Sequence, residues 1–180
     1  MPIYKNDHNL LLKSMSERPV IDAFDFAGNA GMLRGKIAIS ALERLQDCLT
    51  ENSGELQYEI AGSLNSDGKL ILRISAGGLI KLRCQRCLGD LVHVLELHTD
   101  LLLAGNEKEL SSLDEDESVD CILGEPNLDI LALIEDEIIL SLPISPRHEE
   151  NECSIDRQLS VNTAEQKPLF AALTALKKLH

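Results

Sequence analysis

The stretch that decides the fold reads Asp129-Ile-Leu-Ala-Leu-Ile-Glu-Asp-Glu-Ile-Ile-Leu-Ser-Leu-Pro143-Ile-Ser-Pro-Arg-His148-Glu-Glu-Asn-Glu-Cys153. Asp129 precedes the apolar run, and its carboxylate can accept the unpaired backbone N–H groups of a helix start. Pro143 and Pro146 remove backbone donors and end the helix. The pattern therefore predicts one central helix over residues 129–142, followed by a polar segment.

The apolar residues of this helix cover almost its whole circumference. At about 100° per residue, Leu131, Ile134 and Ile138 lie on one arc that we interpret as the core face. Leu133 and Leu140 lie on the opposite side, so we expect neighbours to cover the helix on more than one face.

Three consecutive carboxylates interrupt the apolar helix, and they differ in position. Glu135 lies inside the apolar sector, whereas Asp136 projects towards solvent beside Asp129. Glu135 either reaches water from the helix edge or is buried and paired, because an uncompensated buried carboxylate is too costly to remain ionised. We treat Asp129, Glu135, Asp136 and Glu137 as candidates for a structural or partner-binding role.

Composition limits the kinds of partner. The 180 residues carry a net charge of −13, and most of the excess lies in residues 101–153, with 15 acidic and 2 basic side chains. Three Phe, two Tyr and no Trp leave little aromatic surface on which bases could stack. An acidic field opposes non-specific nucleic-acid binding, so we expect no DNA partner, and any RNA contact must be local.

The chain has five cysteines and no apolar run long enough to span a membrane, and its polar first residues lead us to expect no secretion signal. We therefore expect a cytoplasmic protein with reduced or metal-bound thiols and no membrane partner.

The rest of the chain predicts an α+β fold. We expect a partly ordered arm (1–20), a single α+β domain (21–153) with an acidic loop near 106–120, and a tail (154–180) with a short helix over 168–179. Strands are predicted at 32–39, at 55–74 as a hairpin, at 79–84, at 91–103 and at 119–123, with a turn at Gly77-Gly78. Ser40 and Glu43 form a capping-box pattern that predicts a helix over 41–50. These elements indicate an antiparallel sheet, open or closed into a barrel, with the central helix packed on it.

Cys84-Gln-Arg-Cys87 has the spacing of half a zinc site, because two intervening residues let both thiolates face one ion. His148 and Cys153 offer a second half, which gives a candidate Cys3His set, although spacing alone does not show that the halves meet. The alternative is unbound reduced thiols in a turn. A thiol redox role is disfavoured, since the pair does not begin a helix in a βαβ unit. The sequence contains no hydrolase or nucleotide-binding motif, so hydrolysis and nucleotide chemistry have no visible site.

Basic residues concentrate around the cysteine pair. The candidates for RNA contact are Arg73, Lys81, Arg83 and Arg86. Ordinary exposed charges on a sheet are the alternative interpretation.

Together, Cys84-Gln-Arg-Cys87, Asp129, the segment 133–140, Leu142-Pro143, His148 and Cys153 resemble the YceD family of large ribosomal RNA subunit accumulation proteins of bacteria and plastids. The resemblance implies a non-enzymatic accessory factor for synthesis, processing or accumulation of large-subunit (23S) ribosomal RNA. Its partner would be that RNA or its precursor, contacted directly or through a ribosome-assembly protein. The alternative function is a protein-binding adaptor that uses the acidic segment and the C-terminal helix.

Overall fold

The computed structural model describes residues 18–113, 120–149 and 152–153, and all structural statements below refer to these residues. The strands are β1 (Val20–Ile21), β2 (Met32–Ala38), β3 (Leu49–Glu51), β4 (Glu55–Leu64), β5 (Leu70–Arg83), β6 (Asp90–Ala104), β7 (Cys121–Leu123) and β8 (Leu128–Asp129). The α-helices are α1 (Ala23–Gly28), α2 (Glu107–Leu113) and α3 (Ile130–Ser141). None of these helices is both long and apolar enough to cross a membrane.

The main sheet has the strand order β2-β4-β5-β6-β7, and β3 pairs with one end of β5. The predicted antiparallel sheet is confirmed, with one parallel pair at its edge, between β6 and β7. β1 and β8 form a separate two-stranded sheet. The predicted α+β class is confirmed, and in the described part of the chain the sheet does not close into a barrel.

The period-two pattern sets the two faces of the sheet. Leu56, Ile60, Leu72 and Ile74 alternate inwards and are fully buried in the core. The hairpin between β4 and β5 turns at Asn65, whose side-chain oxygen accepts the N–H groups of residues 67 and 69. This is the turn chemistry expected of Asn, and the predicted hairpin is present.

The predicted turn at Gly77-Gly78 was wrong, because β5 runs straight through both glycines and stays paired with β6. The glycines make room for a close approach instead. A Cβ at Gly78 would lie 2.7 Å from Cδ2 of Leu56. The separate strand expected at 79–84 is therefore the second half of β5, and the chain reverses only after Arg83.

The predicted helix over residues 41–50 was also wrong. Two short 3-10 helices, Ile39–Ala41 and Leu45–Cys48, occupy this segment, and β3 follows. Leu42, Leu45 and Leu49 are buried, so their apolar spacing did mark core residues. The backbone N–H of Leu45, which an α-helix would pair with residue 41, donates to Glu135 instead.

Part of the predicted acidic loop is helical. α2 begins after Asn106, whose side-chain oxygen accepts the N–H of Glu109, and Glu107 and Glu109 lie in its favourable first turn. Residues 114–119 of that loop lie outside the described residues, as do residues 1–17 of the predicted arm and the tail 154–180 with its predicted helix.

The central helix is confirmed as α3. The Asp129 carboxylate accepts the N–H groups of Leu131 and Ala132 at 2.9 and 3.1 Å. Ile134 and Ile138 are fully buried. Of the two leucines on the opposite side, Leu133 is buried but Leu140 is exposed, so the helix is covered on more than one face only near its start.

Glu135 is buried, and both of its carboxylate oxygens accept hydrogen bonds. Its Oε1 accepts the backbone N–H groups of Arg44 and Leu45 at 2.7 and 3.1 Å, and its Oε2 accepts Nε of Arg44 at 3.1 Å. Arg44 also binds Asp136, and these contacts raise the pKa of its guanidinium. Glu135 therefore ties α3 to the 3-10 segment instead of reaching water.

Glu137 is half-buried and lies in α3, two residues after Glu135. Burial raises the pKa of its carboxyl above the usual range, and the nearby Asp120 and Asp136 act in the same direction.

Replacing Glu135 by Ala should lower the free energy of unfolding by about 1–3 kcal/mol, because the buried N–H of Leu45 and the partly buried N–H of Arg44 lose their acceptor. Asp136→Ala is the matched control, since its half-exposed pair with Arg44 should contribute no more than about 1 kcal/mol. Urea denaturation of both variants measures the difference. Equal, negligible losses at both positions would contradict the role assigned to Glu135.

Candidate metal centre

The turn between β5 and β6 positions the first two candidate ligands. The N–H of Cys84 donates to the carbonyl of Gly89, and the N–H of Leu88 donates to the carbonyl of Cys84. Leu88 has a positive φ of 61°, which non-glycine residues adopt at a cost. The result is a tight reversal in which Cys84 is fully buried and Cys87 is half-buried.

The segment after α3 brings the other two ligands to this turn. The N–H of Gln85 donates to the carbonyl of Pro146 at 2.8 Å, and the Arg86 guanidinium donates to the carbonyl of His148 at 3.1 Å. Nε2 of His148 lies 2.8 Å from the carbonyl oxygen of Asp90. Because a carbonyl only accepts, we infer that Nε2 carries the proton and that Nδ1 is free to bind a metal.

All four ligand atoms lie within 4.8 Å of one another. The Sγ atoms of Cys84 and Cys153 are 3.8 Å apart, and Sγ of Cys87 is 3.4 Å from Nδ1 of His148. A tetrahedral zinc ion with usual bond lengths would separate two sulfurs by about 3.8 Å and a sulfur from a nitrogen by about 3.5 Å. Two distances in the cluster therefore match tetrahedral ligation, and the four residues could hold a metal ion.

The electrostatics of the cluster are uneven. Burial opposes ionisation of Cys84, but the backbone N–H groups of Cys87, His148 and Arg86 outweigh it and lower the pKa of this thiol to about 5. The backbone of Gly89 likewise lowers the pKa of Cys87. Burial and the neighbouring cysteines raise the pKa of Cys153 to about 11, and the Asp90 carbonyl raises the pKa of His148. A bound cation would compensate the negative charge that concentrates here.

The four predicted RNA-contact residues do not form one free basic face. Arg73 makes a two-pronged ion pair with Asp100, at 2.7 and 2.8 Å, and this guanidinium lowers the pKa of the carboxyl. Lys81 is paired with Glu51. Arg83 is exposed at the end of β5 and has no carboxylate partner in the described part of the chain, whereas Arg86 lies in the cysteine turn.

Two features were missed from the sequence. The first is Arg44 as the partner of Glu135, which no local pattern indicates because residues 44 and 135 are distant in the chain. The second is the exposure of Leu79, Val92 and Val94 on the outer face of β5 and β6. The sequence could have indicated this exposure. Leu79, Lys81 and Arg83 are spaced two residues apart, so they lie on the same face of β5.

Residues 72–177 match the model of the family described as large ribosomal RNA subunit accumulation protein YceD. The chain belongs to the YceD family. All four residues of the metal cluster lie within the matched region.

A relative of the same description from Haemophilus influenzae is 24% identical over 157 residues, which cover 80% of this chain and 86% of that protein. No solved structure matches the chain. The YceD family name links the protein to accumulation of large-subunit ribosomal RNA, and the Cys84 to Cys153 cluster is a group of residues that could hold a metal ion.

The strained Leu88 gives a test of the turn itself. Leu88→Gly should raise the free energy of unfolding by up to about 1 kcal/mol, because glycine adopts positive φ freely and the leucine side chain is mostly exposed. Leu88→Val should lower it by about 1 kcal/mol or more, since a branched Cβ fits this backbone poorly. Denaturant titration of the two variants checks the order. A more stable Val variant would mean that the turn differs from the one described.

Proposed function

We propose that the protein is a non-enzymatic, cytoplasmic accessory factor for the synthesis, processing or accumulation of 23S ribosomal RNA. Membership of the YceD family is the observation that carries this proposal. A role without catalysis is supported by the nature of the cluster, since its four protein ligands would complete a tetrahedron and leave no open position for a substrate or an activated water.

We also propose that Cys84, Cys87, His148 and Cys153 bind one zinc ion with a structural role. Three thiol sulfurs and one imidazole nitrogen are the donor set that zinc prefers. The segment from Pro143 to His148 buries little apolar surface, because Ile144 is fully exposed. Metal ligation would therefore supply the main anchor that keeps this segment on the cysteine turn.

Protein purified without chelator should carry one zinc ion per chain in native mass spectrometry. Cys84→Ser should abolish the bound metal, whereas Cys48→Ser, which changes an exposed cysteine outside the cluster, should retain it. Chelation should increase hydrogen exchange in residues 143–149 before it affects β4 and β5. A native mass equal to the bare chain, with all five thiols free to react, would exclude the zinc site.

The RNA contact that we propose is small and lies at the cysteine turn. Arg83 and Arg86 carry it, and the exposed Arg147 adds a third cation from the segment after α3. Arg73 and Lys81 would contribute less than Arg83, because their charges are already balanced by Asp100 and Glu51. Local cations of this kind position a protein on phosphates without reading sequence.

The double variant Arg83→Glu with Arg86→Glu should reduce the amount of 23S ribosomal RNA that crosslinks to the protein in cells by at least about tenfold, since it reverses two of a few phosphate contacts. Arg34→Glu with Lys36→Glu is the control, because it makes the same change in charge on the edge strand β2, away from the cysteine turn. Circular dichroism and zinc content check that the turn survives, as Arg86 also contacts His148.

A second candidate function is favoured by one observation. Arg34, Lys36, Arg73 and Lys81 are all paired with carboxylates, so the outer sheet face of this acidic protein offers few free cations. If these cations do not contact RNA, the protein is an adaptor that reaches ribosomal RNA through a ribosome-assembly protein. Unchanged RNA crosslinking in the Arg83 and Arg86 variant, together with a stable protein partner, would favour the adaptor.

A further inference from the structure

An apolar patch lies on the outer face of the β5 and β6 hairpin, and we name Leu79, Val92 and Val94 the outer apolar patch. Their exposed fractions are 63%, 62% and 59%. Leu79 is directly opposite Val94, and Val92 is opposite Lys81, so all three point to the same side of the sheet. Their strand neighbours Ile80 and Leu95 point to the core and are buried.

Charge marks the two ends of the patch. Every second residue of β6 points to the outer face, and the row here is Asp90, Val92, Val94 and Glu96. The two carboxylates lie at its ends. Asp90 is opposite Arg83, but Glu96 is opposite Gly77 and has no cationic partner among the described residues. The distance along β6 from the turn to Glu96 is about 20 Å at 3.3 Å per residue. A suitable occupant is therefore an apolar segment of that length with positive charge at the end far from the turn.

The C-terminal segment of this chain has that chemistry. In residues 168–179, Leu169, Leu173 and Leu176 recur at the spacing of one helix face, and Lys177 and Lys178 follow them. As a helix, this segment would be about 18 Å long. Thr174 falls on the opposite side from the three leucines.

The place where the described chain ends is also suitable. Cys153 is buried against Cys84, which directly follows the end of β5 at the cysteine turn. Residues 154–167 can span up to roughly 46–50 Å when extended, which is more than the length of the patch. A segment that starts near the turn and runs along β6 would bring its lysines to Glu96. The region that matches the YceD family model contains both the patch and this segment up to Lys177.

We propose that residues 168–179 dock as an amphipathic helix on the outer apolar patch of the same chain, with Leu169, Leu173 and Leu176 against Leu79, Val92 and Val94. The lysines at its end meet Glu96. The interaction covers apolar surface that would otherwise face water. It is independent of the proposed role in ribosomal RNA accumulation, because it depends only on the chain's own residues.

A photo-crosslinking amino acid in place of Val94 tests the docking in the purified full-length protein. The probe should crosslink to residues 168–179. The same probe in place of Met32 should not crosslink to them, because Met32 is an exposed apolar position at the far edge of the same face. Leu173→Asp with Leu176→Asp should reduce the crosslink by at least about tenfold, because it removes two apolar contacts. Thr174→Asp should leave the yield unchanged.

An equal mixture of normal and ¹⁵N-labelled chains distinguishes docking within one chain from docking between two copies. Crosslinks within chains of one label support the proposal, and crosslinks that join the two labels in statistical proportion would overturn it in favour of a dimer interface. Absence of any crosslink to residues 168–179, or equal yields from positions 94 and 32, would also overturn it.

Hydrogen exchange provides a second measurement without a probe. Val94→Asp should speed exchange of the amides in residues 168–179 by about tenfold, whereas Met32→Asp should not change it. Both positions are exposed, so neither variant should unfold the sheet. Equal exchange in the wild type and in both variants would contradict the proposal.

Discussion

The antiparallel pairing of β5 with β6, unbroken from Ile71 opposite Leu102 to Arg83 opposite Asp90, is the constraint on which the rest of the structure depends. Side chains alternate with a period of two, so this one register decides which residues enter the core and which face outwards. It buries Ile80 and Leu82, and it places the cysteine turn at the end of the hairpin. A slip of one residue would exchange the core face with the outer face, and it would also displace the candidate metal ligands of the cysteine turn.

The second ligand pair depends on α3, because His148 and Cys153 follow this helix in the chain. Two kinds of interaction fix the helix. Ile134 and Ile138 pack in the core, and Glu135 accepts three hydrogen bonds from Arg44 and Leu45. A buried carboxylate is costly without partners, so this network favours a single position for α3 over alternatives of similar burial. The position of the candidate ligands is therefore set by the core.

Local patterns in the sequence predicted α3, the β4 and β5 hairpin and the turn that holds Cys84 and Cys87, because caps, turns and alternation act over a few residues. Contacts between distant residues account for the errors. Glu135 takes the N–H of Leu45, so no helix forms over 41–50, and Leu56 packs against Gly78, so the glycine pair is not a turn. The convergence of the two ligand pairs depends on the position of α3, and the pairing of Arg73 with Asp100 depends on strand register. The sequence alone defined neither.

Metal binding and docking of the C-terminal segment would act on the same hairpin. The length of the tether between them determines how strongly they are coupled. With the metal bound, the tether to residues 168–179 starts at Cys153 and comprises residues 154–167. Without this anchor it would start after Leu142 and comprise residues 143–167. Effective concentration falls with roughly the −3/2 power of tether length, so the loss is only about two- to threefold. Burial of several leucines has a much larger effect. The docking would therefore persist without metal, and its strength would come from the outer apolar patch itself.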